Sequence, residues 1–173
     1  GSLVTALRGI AESLEQRKET RRQIQTTLSG PMVTANAILI IGFGHNDEKT
    51  EPARYTNPNG DYKTEGSFAN SLYVNYIQPA LERGVIPVVC TPIARLTNEN
   101  TKASYDSASG HKTQTVTIGD TVYEGGYYAQ AIRDMCSELH LICVDLTDAT
   151  INENITMGKK AQYTHSFTGA KEG

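Results

Sequence analysis

Seven consecutive apolar or small residues, Ala37-Ile38-Leu39-Ile40-Ile41-Gly42-Phe43, end abruptly in Gly44-His45-Asn46-Asp47. A short isoleucine-rich run of this kind reads as a strand buried on both faces, the kind from which parallel sheets are built. It sets an uncharged amide, Asn46, at the carboxyl end of that strand, where open α/β sheets bind their ligands. A glycine before the tip permits the tight backbone such a turn needs. An asparagine amide donates a hydrogen bond to an oxygen that gains negative charge, which is what acyl transfer requires. The plainer alternative is a turn asparagine following a strand.

Two further apolar runs, Val85 to Thr91 and Leu141 to Val144, read as strands of the same kind. Between and around them the apolar residues fall at helical spacing. Ser2 to Leu28 is expected to be mostly helical, closed by Ser29-Gly30-Pro31. Ser67 to Arg83 is expected to be a helix with Phe68, Leu72, Ile77 and Leu81 as its buried stripe and a possible kink at Pro79. Tyr127 to Leu139 and Asp148 to Lys160 complete the helices. Strand and helix alternate, so the expectation is an α/β fold with a parallel sheet and helices on both faces, the three runs forming adjacent central strands. The polar stretch 98–126 interrupts this pattern. Within it, two β-rich runs flank Gly119-Asp120 and predict a hairpin insertion. The chain of 173 residues suits a single domain, residues 1–173.

The net charge is −3, and no basic block exceeds the pairs Arg17-Lys18 and Arg21-Arg22, which argues against a nucleic-acid partner. No apolar run reaches membrane-spanning length. No charged-then-apolar leader opens the chain, so a signal peptide is expected to be absent or removed. The cysteines Cys90, Cys136 and Cys143 show no CxxC spacing; Cys90 and Cys143 read as buried free thiols, and no metal or cofactor is implied.

Gly44-His45-Asn46-Asp47-Glu48-Lys49 resembles the third sequence block of the SGNH hydrolases, in the GHND form of rhamnogalacturonan acetylesterase-like carbohydrate esterases. Pro52-Ala53-Arg54-Tyr55-Thr56, Val88-Val89-Cys90-Thr91-Pro92-Ile93-Ala94-Arg95, Ala131-Ile132-Arg133 and Val144-Asp145-Leu146-Thr147 follow in the order that family shows. The resemblance implies a flavodoxin-like three-layer α/β/α sandwich. It implies a serine esterase that removes acetyl groups from plant cell-wall polysaccharide such as pectin or xylan, without metal or cofactor, and it favours an extracellular setting. Asn46 carries over as an oxyanion donor. Gly9 resembles the second block, whose glycine N–H joins the oxyanion hole; the alternative is a glycine inside a helix. Thr164-His165-Ser166 resembles the block of the catalytic histidine, but Gln162 stands where that block has Asp. Asp47 is expected to brace the loop by accepting backbone N–H groups. With His45 and Arg95 it is also a candidate for contact with substrate; for His45 the alternative is a hydrogen bond within the turn.

The family's Gly-Asp-Ser nucleophile block has no counterpart here. Ser2, Ser13, Ser29, Ser67 and Ser71 stand in other contexts, and His111 and His140 have no catalytic context in the sequence. Two readings therefore stand: an acetylesterase, or a catalytically incomplete module of the same fold that at most holds a sugar. A sheet short of its first strand would expose an edge open to self-association.

Overall fold

The computed structural model describes residues 37–158. The expected helix of Ser2 to Leu28, the candidate oxyanion glycine Gly9 and the candidate base His165 lie outside the described residues.

The protein is mixed α/β. Strand β1 (Ile38–Gly42) pairs in parallel with β2 (Ile86–Cys90), Ile38 opposite Ile86 and Gly42 opposite Cys90. After β2 come the short strands β3 (Val116–Ile118) and β4 (Thr121–Tyr123), an antiparallel hairpin turning through Gly119-Asp120. Gly119 has φ of 60°, the left-handed backbone that a two-residue hairpin turn demands. Strand β5 (Ile142–Val144) then pairs in parallel with the other side of β2, so the main sheet runs β1-β2-β5.

Among the described residues four α-helices flank the sheet. Helix α1 (Phe68–Leu72) starts at Ser67, whose hydroxyl accepts from the Asn70 N–H at 3.0 Å. It runs through a wide π turn, Tyr73–Ile77, into α2 (Gln78–Glu82). The single helix expected over this stretch is thus interrupted. Pro79 has no N–H, and its ring crowds the preceding turn; widening that turn relieves the clash. Phe68, Leu72 and Ile77 are buried as expected, but Leu81 is exposed and Ala80 takes the inward position after the π turn. Helix α3 (Tyr128–Glu138) and helix α4 (Leu146–Met157) follow, the latter capped by Asp145, which accepts from the Asp148 N–H at 3.1 Å.

The main core lies on one face of the sheet: Ile41 and Val89 pack with Phe68, Leu72, Ile77, Tyr128, Ile132 and Met135. The opposite face carries a smaller cluster of Val88, Cys90, Ile142 and Val144, with Leu146 against it. The register puts Ile38 and Ile40 on this second face beside Ile86 and Val88. Ile40 is nevertheless 71% exposed and Ile38 49%. The expectation of three central strands buried on both faces is therefore corrected: among the described residues only β2 has a neighbour on each side, β1 and β5 are edge strands, and one face of β1 is open because nothing described packs over it. Cys143 is also exposed rather than buried, whereas Cys90 is buried as expected. No described helix is long and apolar enough to cross a membrane.

Candidate functional site

The carboxyl ends of β1 and β2 lie side by side, and each runs into a loop. Gly44 sits in the first with φ of 133°; a Cβ there would stand 2.8 Å from Pro92 Cγ in the second. Glycine is required by both the torsion and the space. The Gly44 N–H donates to Asp47 Oδ2 at 3.0 Å, and the Thr56 hydroxyl donates to Asp47 Oδ1 at 3.4 Å. Asp47 therefore braces the turn. Burial pushes its carboxyl above the usual aspartate range, against the opposing pull of the Gly44 N–H. The buried Tyr128 hydroxyl lies 2.9 Å from the Asp47 carbonyl and 2.6 Å from that of Thr56, tying the whole loop to α3. Burial holds that phenol well above its ordinary value, so it remains a donor.

Within this frame Asn46 is surface-exposed, and its side-chain amide has no hydrogen-bond partner among the described residues. It lines a cleft of about 240 Å³ between the two strand ends, together with His45, Cys90, Thr91, Ile93 and Leu146. An amide left free at the mouth of a parallel sheet is available to an oxygen atom of a ligand.

Behind the cleft stands a cluster that joins three loops. His45 Nε2 lies 2.9 Å, and His111 Nε2 2.8 Å, from the carbonyl oxygen of Ile93. A carbonyl only accepts, so both Nε2 atoms carry the hydrogen. The rings meet edge to face at 4.7 Å. His111 Nδ1 faces Glu48 Oε2 at 3.2 Å, and Glu48 Oε1 pairs with Arg95. Arg95 also donates to the Ala108 carbonyl at 2.7 Å and to that of His45 at 3.4 Å. The Glu48 side chain is 6% exposed. Burial pushes its carboxyl up, but hydrogen bonds from His111 and Arg95 and the Arg95 charge outweigh this and hold it below the usual glutamate range. His45 also lies below a free imidazole: burial first, then repulsion from His111 and Arg95, lower its pKa, against the Ile93 hydrogen bond and Glu48.

A second polar cluster supports the same strand ends from the far side. The Thr91 hydroxyl donates to Asp145 at 2.9 Å and accepts from the Thr147 N–H at 2.8 Å. Arg133 grips Asp145 through Nε at 2.7 Å and Nη2 at 3.0 Å, and reaches Asp148 at 2.8 Å. Thr91 is 1% exposed, and burial raises the Cys90 thiol, so neither residue offers a ready nucleophile to the cleft. A larger groove of about 500 Å³ lies between Pro58–Asp61 and α3. Its carboxylates are already engaged: Asp134 by Gln130, Glu138 by Lys63 and Asp61 by Thr64. Among the described residues no three His, Cys, Asp or Glu side chains gather to hold a metal ion.

The chain is similar to the probable rhamnogalacturonan acetylesterase YesY of Bacillus subtilis (strain 168), with 40% identity over 63 residues. That segment is 36% of this chain and 26% of YesY, so the likeness marks a distant relation and spans about a quarter of the relative. No family model matches the chain, and no solved structure matches it.

The structure gathers three of the residues singled out in the sequence, His45, Asn46 and Asp47, at the β1 tip, with Arg95 behind them. The Arg95 guanidinium is spent on protein partners. His111, to which the sequence lent no chemical context, proves fully buried against His45 and Glu48. No local pattern announces it, since it meets Glu48 from 63 residues away.

Proposed function

We propose that the protein is a carbohydrate O-acetylesterase of the SGNH kind, built on a three-layer α/β/α sandwich and acting on acetylated cell-wall polysaccharide. The observation that carries this reading is the unpartnered Asn46 amide in a cleft at the β1 tip, within a Gly-His-Asn-Asp turn. The partial similarity to a probable rhamnogalacturonan acetylesterase supports the same chemistry.

In this mechanism a serine hydroxyl attacks the acetyl carbonyl, and a histidine takes its proton. No serine lines the cleft among the described residues; Gly9 and His165 remain candidates for the second oxyanion N–H and for the base. The carbonyl oxygen gains charge as the tetrahedral intermediate forms, and Asn46 donates to it. Collapse expels the sugar alkoxide, which leaves as the alcohol once protonated, and water hydrolyses the acetyl-enzyme. The test is acetate release from acetylated pectin and acetylated xylan, beside para-nitrophenyl acetate, by the whole chain and by Asn46→Ala. Release that Asn46→Ala lowers supports the esterase reading; no release from any of the three refutes turnover by this chain and leaves the second reading below.

A second reading, a sugar-binding module without turnover, is favoured by one observation. Among the described residues, the only hydroxyl and thiol lining the cleft, Thr91 and Cys90, are both buried. Saccharide binding without acetate release separates it from the first.

A further inference from the structure

Resting on the reading of the cleft as a sugar-ester site, we propose that His45 reads a hydroxyl group of the substrate. Its Nδ1 accepts a hydrogen bond from a sugar O–H while its Nε2 stays anchored on the Ile93 carbonyl.

The tautomer comes first. The 2.9 Å contact to a carbonyl fixes the hydrogen on Nε2 and leaves the lone pair of the neutral ring on Nδ1. That atom has no partner among the described residues, although the ring lines the cleft and is solvent-exposed. The anchor is itself fixed: the same carbonyl takes His111 Nε2 at 2.8 Å, and the Arg95 main-chain N–H is held by the Ser109 carbonyl at 2.8 Å. The groups facing the ring are His111, Arg95 and Glu48. Burial and the two basic neighbours disfavour a charged His45, so the lone pair persists into mildly acidic solution, where a free imidazole takes up a proton. A donor-only residue at this place would do the opposite.

The chemistry of a sugar ester fits this division. Its acyl oxygen only accepts, and the adjacent Asn46 amide donates. Its neighbouring hydroxyls donate, and the His45 lone pair accepts. Consecutive residues thus address the two halves of one substrate, and His45 discriminates a hydroxylated alcohol from a bare one.

The test compares His45→Gln, whose amide reaches the Nε2 position but leaves no acceptor at Nδ1, with His45→Asn, whose amide stands near Nδ1. The readout is the ratio of kcat/KM for acetylated xylo-oligosaccharide to that for para-nitrophenyl acetate, which has no hydroxyl. The ratio should fall about tenfold in His45→Gln and less in His45→Asn, the size of one hydrogen bond. An unchanged ratio in His45→Gln overturns the proposal. In parallel, the chain labelled with heavy nitrogen in histidine is titrated with methyl xyloside and methyl galacturonoside. Movement of the His45 Nδ1 resonance on binding supports the proposal. A still Nδ1 while the saccharide binds, or no binding of either saccharide, overturns it. Absence of ester cleavage refutes the esterase reading alone, because the titration judges His45 without turnover.

Discussion

His45 and His111 share one acceptor, the Ile93 carbonyl oxygen, at 2.9 and 2.8 Å, with their rings edge to face. Through it, the turn after β1, the loop after β2 and the turn ahead of the hairpin-to-α3 segment converge on a single atom. His111 occupies left-handed backbone, φ 63° and ψ 31°, and no water reaches its side chain. A non-glycine residue held in that region is retained where its surroundings over-determine it.

Replacing His111 by Phe keeps a ring of similar bulk but removes both nitrogens, leaving the buried Glu48 carboxylate one donor short. The expected loss of stability is about 1–3 kcal/mol, read as a lower urea midpoint with an unchanged slope. Glu48→Gln in the His111→Phe background should recover part of it, since a neutral amide is cheaper to leave half-satisfied. An unmoved midpoint in the single variant would mean that the ring nitrogens add nothing to the fold.

Asn46→Ala should behave in the opposite manner. Its amide has no partner among the described residues, so unfolding should change by no more than about 0.5 kcal/mol. If the protein is the proposed esterase, kcat should fall roughly a hundredfold to a thousandfold, the size of one oxyanion donor, with KM little changed. Steady-state kinetics on para-nitrophenyl acetate together with thermal unfolding makes the separation. A fall in stability that matches the fall in rate would recast Asn46 as a structural turn residue.

Features set by neighbours in the chain were legible beforehand. The apolar runs became β1, β2 and β5, and Gly119-Asp120 became the hairpin turn. Asp47 bracing its own loop belongs here too, because its donor Gly44 is three residues away. Features set by distant packing were not legible. Whether Ile40 is covered depends on what lies over one face of β1, and its own sequence context is the same either way. The π turn before Pro79 expels Leu81 by shifting the helical phase, which a uniform period does not register. His111 stands outside every strand and helix pattern, and its partners Glu48 and Ile93 are supplied by other loops.

Gly44→Ala tests the tip of β1 directly. An alanine would be held at φ of 133° with its Cβ 2.8 Å from Pro92 Cγ, so either the torsion or the Pro92 loop must give way. The expected cost is about 1–3 kcal/mol, measured by denaturant unfolding. Relaxation of the tip should also move the Asn46 and His45 signals in an amide NMR spectrum. By contrast Gly42→Ala, where nothing lies within 4 Å of the added Cβ, should leave the unfolding midpoint nearly unchanged. Equal effects at the two glycines would remove the contact with Pro92 as the cause.

Acid should weaken the fold in two stages, each traceable to named groups. His45 has a lowered pKa in the native state, so between about pH 6.5 and its native value the unfolded chain binds the proton that the folded chain refuses. A group of this kind contributes stability that is present above its unfolded pKa and is lost as pH falls through its native one. Glu48 and Asp145 are also lowered: burial opposes the shift, but hydrogen bonds and charge from Arg95, His111 and Arg133 prevail. Their contributions are likewise present above their unfolded values and disappear further down, below about pH 4.5. Asp47, raised by burial, has the reverse sign. Its contribution is full below the unfolded value of an aspartate and fades as pH rises through its native one, so it blunts the second stage rather than causing it. Thermal unfolding followed by circular dichroism from about pH 7 to about pH 3 should therefore show a first decline in Tm, removed in His45→Asn, and a second, reduced in Arg133→Met because Asp145 loses its partner. A first decline of the same size in His45→Asn as in the parent would assign that proton to another group and detach the histidine pair from the acid response.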